Sequence, residues 1–177
     1  MSNPEFASAP FTVGQLNALV KIVGPGNVEE ILRGKIEVIT KVVNLIVRIV
    51  KPNRNLAPRQ ALEATGRNLY VNDEVVATMP RGEGEESEVF FFKVGRFLND
   101  DNLEKEYDLR GLKPVDPYSL AKVNEDAAFA DDQPNATHWR DKDGKWCFVA
   151  FNRWRRVRCG RNGDDWLDAW WFAGLRK

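Results

Sequence analysis

All six tryptophans of the chain lie between residues 139 and 171, in a region punctuated by polar turn signals. Asp141-Lys-Asp-Gly144 and the segment 160–165 are typical turns between strands. Aromatic side chains favour strands and bury large areas. We therefore expect a four-stranded antiparallel meander from Thr137 onward, with 152–159 as its third strand and 166–175 as its fourth. Most of the indoles should build a core, and a stacking platform for bases or sugars is the alternative.

The sequence before this meander mixes strand and helix signals. Strands are predicted at 36–50 and 88–98, which are dense in β-branched or aromatic residues. Because 36–50 is apolar on both faces, we expect it to be a central strand. Helices are predicted from Pro58, from Asp100 after the capping residue Asn99, and from Pro117 after Asp116, whereas 126–135 is interpreted as a loop.

These signals predict an α+β fold in three parts. Residues 1–11 form a flexible tail, 12–34 a helical hairpin, and 35–177 an α+β domain with a mixed, mainly antiparallel sheet that ends in the meander. The hairpin is packed on or appended to that sheet. It is too small to be stable alone, so it must dock on the rest of the chain or on a protein partner. Its short second helix carries Glu29 and Glu30 against one Arg33, which argues against a DNA-recognition helix.

Charge and targeting signals narrow the class of protein. Lys plus Arg and Asp plus Glu are both 26, so the chain lacks the overall basic excess of a nucleic-acid coat. The N-terminus does not have the pattern of a secretory signal, and the most apolar stretch, 36–50, is too short and too charged to span a bilayer. We expect a cytoplasmic protein without membrane contact, in which the glycosylation sequon at Asn135 arises by chance.

A metal site or cofactor is not expected. One histidine and two cysteines, Cys147 and Cys159, are too few ligands for a zinc site. The cysteines are interpreted as reduced core thiols, with a disulfide between neighbouring strands as the alternative.

The basic run Arg153-Trp-Arg-Arg-Val-Arg158, followed by Arg161, is the sharpest local feature. In a strand, Trp154, Arg156 and Arg158 share one face, and Arg155 lies on the other. Guanidinium groups beside an indole suit the phosphates and bases of a single strand. Candidate nucleic-acid or ligand-binding residues are therefore Trp154, Arg155, Arg156, Arg158 and Arg161. Two structural alternatives are that they protect an exposed sheet edge, or that they pair with the acidic helix at 100–108.

His138 is the one histidine, and it lies near Asp141 and Asp143 in sequence. A histidine beside carboxylates can serve as a general base, so these three residues are catalytic candidates. Both aspartates are also typical turn residues, which is the structural alternative.

Several short motifs resemble an uncharacterised family of small proteins from uncultured, candidate-phylum bacteria. They are Phe11-Thr-Val-Gly-Gln-Leu-Asn-Ala-Leu19, Leu32-Arg-Gly34, Ala64-Thr-Gly-Arg67, Met79-Pro-Arg-Gly-Glu-Gly84, Asp116-Pro-Tyr-Ser119, Thr137-His-Trp139, Gly144-Lys-Trp-Cys147 and Trp170-Trp-Phe-Ala-Gly174. The resemblance implies a shared fold over nearly the whole chain and no particular activity.

Together these features predict a non-enzymatic interaction module that meets a protein partner through residues 12–34. The first alternative is a nucleic-acid-binding protein that uses the stripe 153–161, and the second is a hydrolase centred on His138. Nothing in the pattern specifies an oligomeric state.

Overall fold

The structure, a computed structural model, describes residues 46–177. The predicted tail, the helical hairpin and the first part of the strand at 36–50 lie outside the described residues. In chain order the elements are β1 (Ile46–Val50), α1 (Pro58–Glu63), β2 (Asn68–Val71), α2 (Asp73–Val76), β3 (Ser87–Lys93), α3 (Asp100–Leu109), β4 (Leu112–Pro114), α4 (Pro117–Asn124), α5 (Ala127–Asp132), β5 (Asn135–Arg140), β6 (Trp146–Asn152), β7 (Arg156–Arg161) and β8 (Trp171–Arg176). The predicted α+β class is confirmed.

The helix starts follow the capping residues that the sequence supplies. The Asn99 side chain accepts a hydrogen bond from the Asn102 amide at 2.9 Å, and Asp116 accepts one from the Ser119 amide at the same distance. Each bond satisfies an amide that the first helical turn leaves without a partner. One prediction was wrong in this region, because residues 127–132, interpreted as part of a loop, form α5.

Eight strands of the described chain form one mixed sheet in the order β1-β3-β8-β5-β6-β7-β2, with β4 pairing beside β8. Strands β5, β6 and β7 are antiparallel neighbours, as the meander prediction requires. In their register Val149 lies between Thr137 on β5 and Cys159 on β7.

The fourth strand of the predicted meander does not follow β7. It begins at Trp171, and it lies in the middle of the sheet, antiparallel to β3 and parallel to β5. Phe172 packs into one core and Ala173 into the other, so a central position buries both faces of β8. The free edge of β7 is taken instead by β2, which pairs in parallel and sets Tyr70 beside Arg158.

The prediction of a central strand at 36–50 is wrong for its described part. Strand β1 ends the sheet and pairs with β3 alone among the described strands. Val47 and Ile49 are 38% and 65% exposed there, so the apolar residues of the second face do not mark burial.

The sheet carries a hydrophobic core on each face. Helices α1, α2, α4 and α5 cover one face, and α3 covers the other through Leu103 and Tyr107. Close packing under α3 requires Gly174, because a Cβ there would lie 3.0 Å from the Lys113 carbonyl oxygen and 3.1 Å from Tyr107 Cε1. On the α3 face, the side chains that β7 and β2 present are exposed. No helix within residues 46–177 has both the length and the apolar character needed to cross a membrane.

Candidate nucleic-acid interface

The hairpin between β6 and β7 turns through residues 153–155. The Asn152 side chain accepts hydrogen bonds from the amides of Trp154 at 3.1 Å and Arg156 at 3.3 Å. The Arg155 amide donates to the Asn152 carbonyl, and Arg155 adopts φ 55°. The strand predicted at 152–159 therefore begins at Arg156. Trp154 lies at the turn rather than on a strand face shared with Arg158.

Four arginines and two aromatic rings form an exposed surface at this end of the sheet, which we call the basic aromatic patch. Trp154 and Tyr70 are 61% and 54% exposed. The Arg156 guanidinium lies 5.0 Å from the centre of the Tyr70 ring, within the range of a cation–π contact. A matching contact of 4.9 Å joins the Arg153 guanidinium to the Trp154 ring. The members of the patch are Tyr70, Arg153, Trp154, Arg155, Arg156 and Arg158.

The four arginines of the patch have no acidic partner in the described part of the chain. Within residues 46–177, none of their side chains makes an ion pair or donates a hydrogen bond. The acids of α3 are engaged elsewhere: Asp101 lies 3.0 Å from Arg140, and Asp108 lies 2.6 Å from Lys177. The alternative that the stripe pairs with the acidic helix is therefore wrong. The edge-protection alternative also fails for β7, since β6 and β2 flank it on both sides.

Arg161 belongs to a different arrangement. Its guanidinium forms an ion pair with Asp141, whose carboxylate also accepts the amides of Asp143 and Lys145 at 2.9 Å each. The hydrogen bond from Arg161 is the largest cause that lowers the pKa of the Asp141 carboxyl. Asp141 thus organises the β5–β6 turn, as its structural alternative supposed, and Arg161 is not a free cation.

His138 contacts a carboxylate, but neither of those that the sequence suggested. Its Nδ1 lies 2.7 Å from Oδ1 of Asp100, which is 38 residues away in the chain. Trp166 Nε1 and Asn162 Nδ2 donate to the same carboxylate at 2.9 and 2.7 Å. Burial alone raises the pKa of Asp100, but these hydrogen bonds outweigh it and hold the pKa below its ordinary value.

The His138 ring is enclosed in a stack of side chains. Trp146 lies parallel to it with ring centres 4.5 Å apart, and Tyr107 covers its other side at 5.6 Å. The Arg140 guanidinium closes the stack at 3.8 Å from the Trp146 ring. The imidazole is 0% exposed, and its Nε2 has no hydrogen-bond partner among the described residues. In this conformation a substrate cannot reach the ring. The Asp100–His138 pair instead has a structural role, since it joins α3 to β5.

A cleft of about 430 Å³ opens beside β4 and β5. Its walls include the apolar side chains of Val115, Trp139 and Leu175, together with Lys113 and Glu83. His138 also borders the cleft, but its ring remains fully enclosed.

One wall of that cleft is fixed by a buried cluster around Arg54. Arg54 Nη1 donates to Asp116 Oδ1 at 2.7 Å, and Nη2 donates to the hydroxyl oxygens of Ser87 and Ser119 at 2.9 and 3.1 Å. Arg54 Nε donates to the Gly84 carbonyl at 2.9 Å. Two of the motifs quoted above, 79–84 and 116–119, thus meet at one guanidinium, which no pattern in the sequence singles out.

The two cysteines are separate, buried thiols. In the β6–β7 register Cys147 lies opposite Arg161 and Cys159 opposite Val149, so the two are diagonal neighbours, for which Cα atoms are typically about 7–8 Å apart. That separation exceeds the span of a disulfide. Burial raises the pKa of Cys159 to about 12 and also raises that of Cys147.

Two other sequence interpretations concern ligands and modification. The described part of the chain contains no group of three or more His, Cys, Asp or Glu side chains arranged to hold a metal ion. Asn135 of the glycosylation sequon is fully buried and exchanges hydrogen bonds with Asn124 at 2.8 and 3.0 Å.

Sequence reasoning missed Asp100, Tyr70 and Arg54. Asp100 and Arg54 bind partners at least 38 residues away in the chain. Tyr70 lies on β2, whose pairing with β7 was not predicted. The resemblance to uncharacterised bacterial proteins stays a prediction. No family model matches the chain, and neither a curated protein nor a solved structure shows a significant match to it.

Proposed function

We propose that this protein is a non-enzymatic binding protein that takes single-stranded nucleic acid on the basic aromatic patch. The observation that supports this most strongly is a set of four exposed arginines that have no acidic partner among residues 46–177 and lie beside two exposed rings. Because no acid in the described chain neutralises these four arginines, they leave a local positive charge that favours an external anion.

The two kinds of side chain match the two parts of a nucleotide. Guanidinium groups bind phosphate oxygens through several donors at once. Tyr70 and Trp154 offer flat surfaces on which bases can stack, and such stacking is tolerant of sequence. Arg156 and Arg158 on β7 and Tyr70 on the neighbouring β2 project from the same face of the sheet. Groups that can bind phosphate and a ring that can stack on a base therefore lie side by side. We expect binding with little sequence preference and strong salt dependence.

A hydrolase centred on His138 has less support. The ring is shielded by Trp146 and Tyr107, and its carboxylate partner also accepts hydrogen bonds from Trp166 and Asn162. The proposal that residues 12–34 bind a protein partner remains open beside this one, because that segment lies outside the described residues.

The test is titration of a fluorescein-labelled twelve-residue oligothymidylate with the full chain, followed by anisotropy at low and moderate salt. We expect affinity to fall steeply with salt. The double variant Arg156→Ala plus Arg158→Ala should bind more weakly, and its salt slope should be reduced by about 1.4, since each phosphate contact on a single strand contributes about 0.7.

A matched control removes the same charge elsewhere. Lys142 and Lys145 are exposed in the β5–β6 turn and make no side-chain ion pair within the described chain. Lys142→Ala plus Lys145→Ala should bind like the wild type. Equal binding by the arginine variant and the wild type, or equal losses in both double variants, would overturn the proposal.

A further inference from the structure

We infer that Arg155 is a ligand contact of the basic aromatic patch, retained although it destabilises the turn, and that it leads the bound strand around the β6–β7 turn. This inference rests on the proposed function and extends it.

The backbone at Arg155 favours a different residue. Its φ is 55°, and within residues 46–177 every other residue with positive φ is a glycine. A side chain with a Cβ is strained in this left-handed region, whereas glycine or asparagine adopts it readily. The turn itself needs this conformation, because the Arg155 carbonyl accepts the Asn68 amide at 2.9 Å where β2 begins.

The charge at Arg155 is also unfavourable to the fold. Arg67 lies beneath the turn with its side chain 0% exposed, and its Nη1 donates to the Asn152 carbonyl at 3.0 Å. Burial is the largest cause and lowers the pKa of Arg67. Asp131 raises that pKa, and the neighbouring positive charge of Arg155, a smaller effect, lowers it. Two independent effects therefore disfavour an arginine at this position.

Nothing in the described chain compensates for these effects, since the Arg155 side chain has no hydrogen bond, ion pair or ring contact there. A neutral residue that accepts the left-handed conformation would serve the turn better. An external anion accounts for the arginine, because a phosphate would both pair with it and reduce its repulsion of Arg67.

The position of Arg155 also indicates the shape of the ligand. Arg156 and Arg158 lie on the sheet face that α3 partly covers. The Arg155 carbonyl instead accepts the amide of Asn68, and the charge of Arg155 acts on Arg67, whose carboxylate partner Asp131 is on α5 at the opposite face. A ligand that contacts both groups must bend around the turn within a few nucleotides. A single strand can bend in this way, but a duplex, with a persistence length of about 150 base pairs, cannot.

The test compares three substitutions at Arg155 in the full chain. Arg155→Gly and Arg155→Asn relieve the backbone strain and remove the charge, so both should raise the melting temperature by roughly 2–4 °C. Both should also bind the labelled oligothymidylate more weakly, with a salt slope reduced by about 0.7. Arg155→Lys keeps the charge and the strain, and should match the wild type in both measurements. A duplex of the same length should bind wild type and Arg155→Asn equally.

The outcomes separate this inference from the proposed function. If Arg156→Ala plus Arg158→Ala loses affinity while Arg155→Gly and Arg155→Asn bind like the wild type, the patch binds nucleic acid and the role of Arg155 is wrong. If the wild type shows no salt-dependent binding, both proposals fail. A loss of affinity without a gain in melting temperature would refute the claim that the arginine is retained against the stability of the turn.

Discussion

Nδ1 of His138 lies 2.7 Å from Oδ1 of Asp100, and this contact joins the first turn of α3 to the middle of β5. The same carboxylate also accepts Trp166 Nε1 and Asn162 Nδ2. Asp100 is 6% exposed, so three donors from three parts of the chain depend on one buried acid.

Replacing this acid should therefore destabilise the fold strongly. Asp100→Ala leaves three donors with no acceptor, and each unsatisfied buried group costs about 1–3 kcal/mol. We expect a loss of at least about 3 kcal/mol in the free energy of unfolding, measured by urea denaturation. Asp101→Ala is the control. Asp101 is the next residue in the chain, and its carboxylate is exposed and binds Arg140 and Trp146 at the surface, so the loss in the free energy of unfolding should stay below about 1 kcal/mol. Similar losses in the two variants would contradict the central role of Asp100.

Acid should unfold the protein through the same carboxylate. Burial raises the pKa of Asp100, but its hydrogen bonds outweigh burial and lower that pKa in the fold. Burial likewise raises the pKa of Glu106, and its contacts with Arg110 and Arg96 lower it by more. A depressed pKa contributes stability that is present above the unfolded value, about 4, and is lost as the pH falls through the lower folded value. We expect the free energy of unfolding to be nearly constant from pH 7 to 5 and to fall below pH 4. Asp100→Asn should show a shallower fall, and an unchanged slope would refute this assignment.

Gly82 and Gly84 offer a direct test of the Arg54 cluster. Both have positive φ, 69° and 78°, so alanine is strained at either position. At Gly82 the new Cβ would also overlap the Asp116 carboxylate and lie 2.6 Å from Arg54 Nη1, whereas at Gly84 its nearest neighbour is 3.7 Å away. We expect Gly84→Ala to cost about 1 kcal/mol from backbone strain alone, and Gly82→Ala to cost at least about 2 kcal/mol, by urea denaturation. If both variants lose the same free energy of unfolding, the Arg54 cluster rearranges around the new side chain without loss of stability, which contradicts this prediction.

Local sequence signals predicted the parts of the fold that local contacts decide. Asn99 and Asp116 mark helix starts because one side chain satisfies an amide two or three residues away. Asp141 marks the β5–β6 turn for a similar reason, since its carboxylate binds amides within four residues. Asn152 carries the same signal before residues 153–155, and reading it as an Asx turn would have placed Trp154 at the turn.

Long-range pairings could not be predicted in this way. The insertion of β8 between β3 and β5 depends on how both its faces are buried, and the parallel approach of β2 to β7 joins segments more than 80 residues apart. The basic aromatic patch depends on both a local signal and a long-range pairing. Its arginines are consecutive or nearly so in the sequence, but Tyr70 lies beside them only because β2 pairs in parallel with β7. The contact of His138 with Asp100 is also long-range, over 38 residues. Asp141, which is nearer to His138 in the sequence, binds the amides of its own turn and Arg161 instead.

The two thiols should react slowly in the native protein. The pKa of Cys159 is raised to about 12 by burial and by its neighbour Cys147, so little of the reactive thiolate exists at pH 8. We expect a thiol reagent such as dithionitrobenzoate to modify both cysteines fully in guanidinium chloride and at least tenfold more slowly without it. Rapid modification of the native chain, or recovery of an intramolecular disulfide by mass spectrometry, would contradict the diagonal, reduced arrangement.

Trp154 should matter for binding and not for stability. Its ring is 61% exposed, and its one ring contact among the described residues is with the neighbouring Arg153. Trp154→Ala should therefore change the free energy of unfolding by no more than about 0.5 kcal/mol. Loss of a stacked base should weaken binding of the oligothymidylate by about 1–3 kcal/mol. Phe97 is a matched control, since it is 64% exposed and lies outside the patch. If Trp154→Ala and Phe97→Ala bind alike, the indole does not stack on the ligand and the bases must rest on another surface.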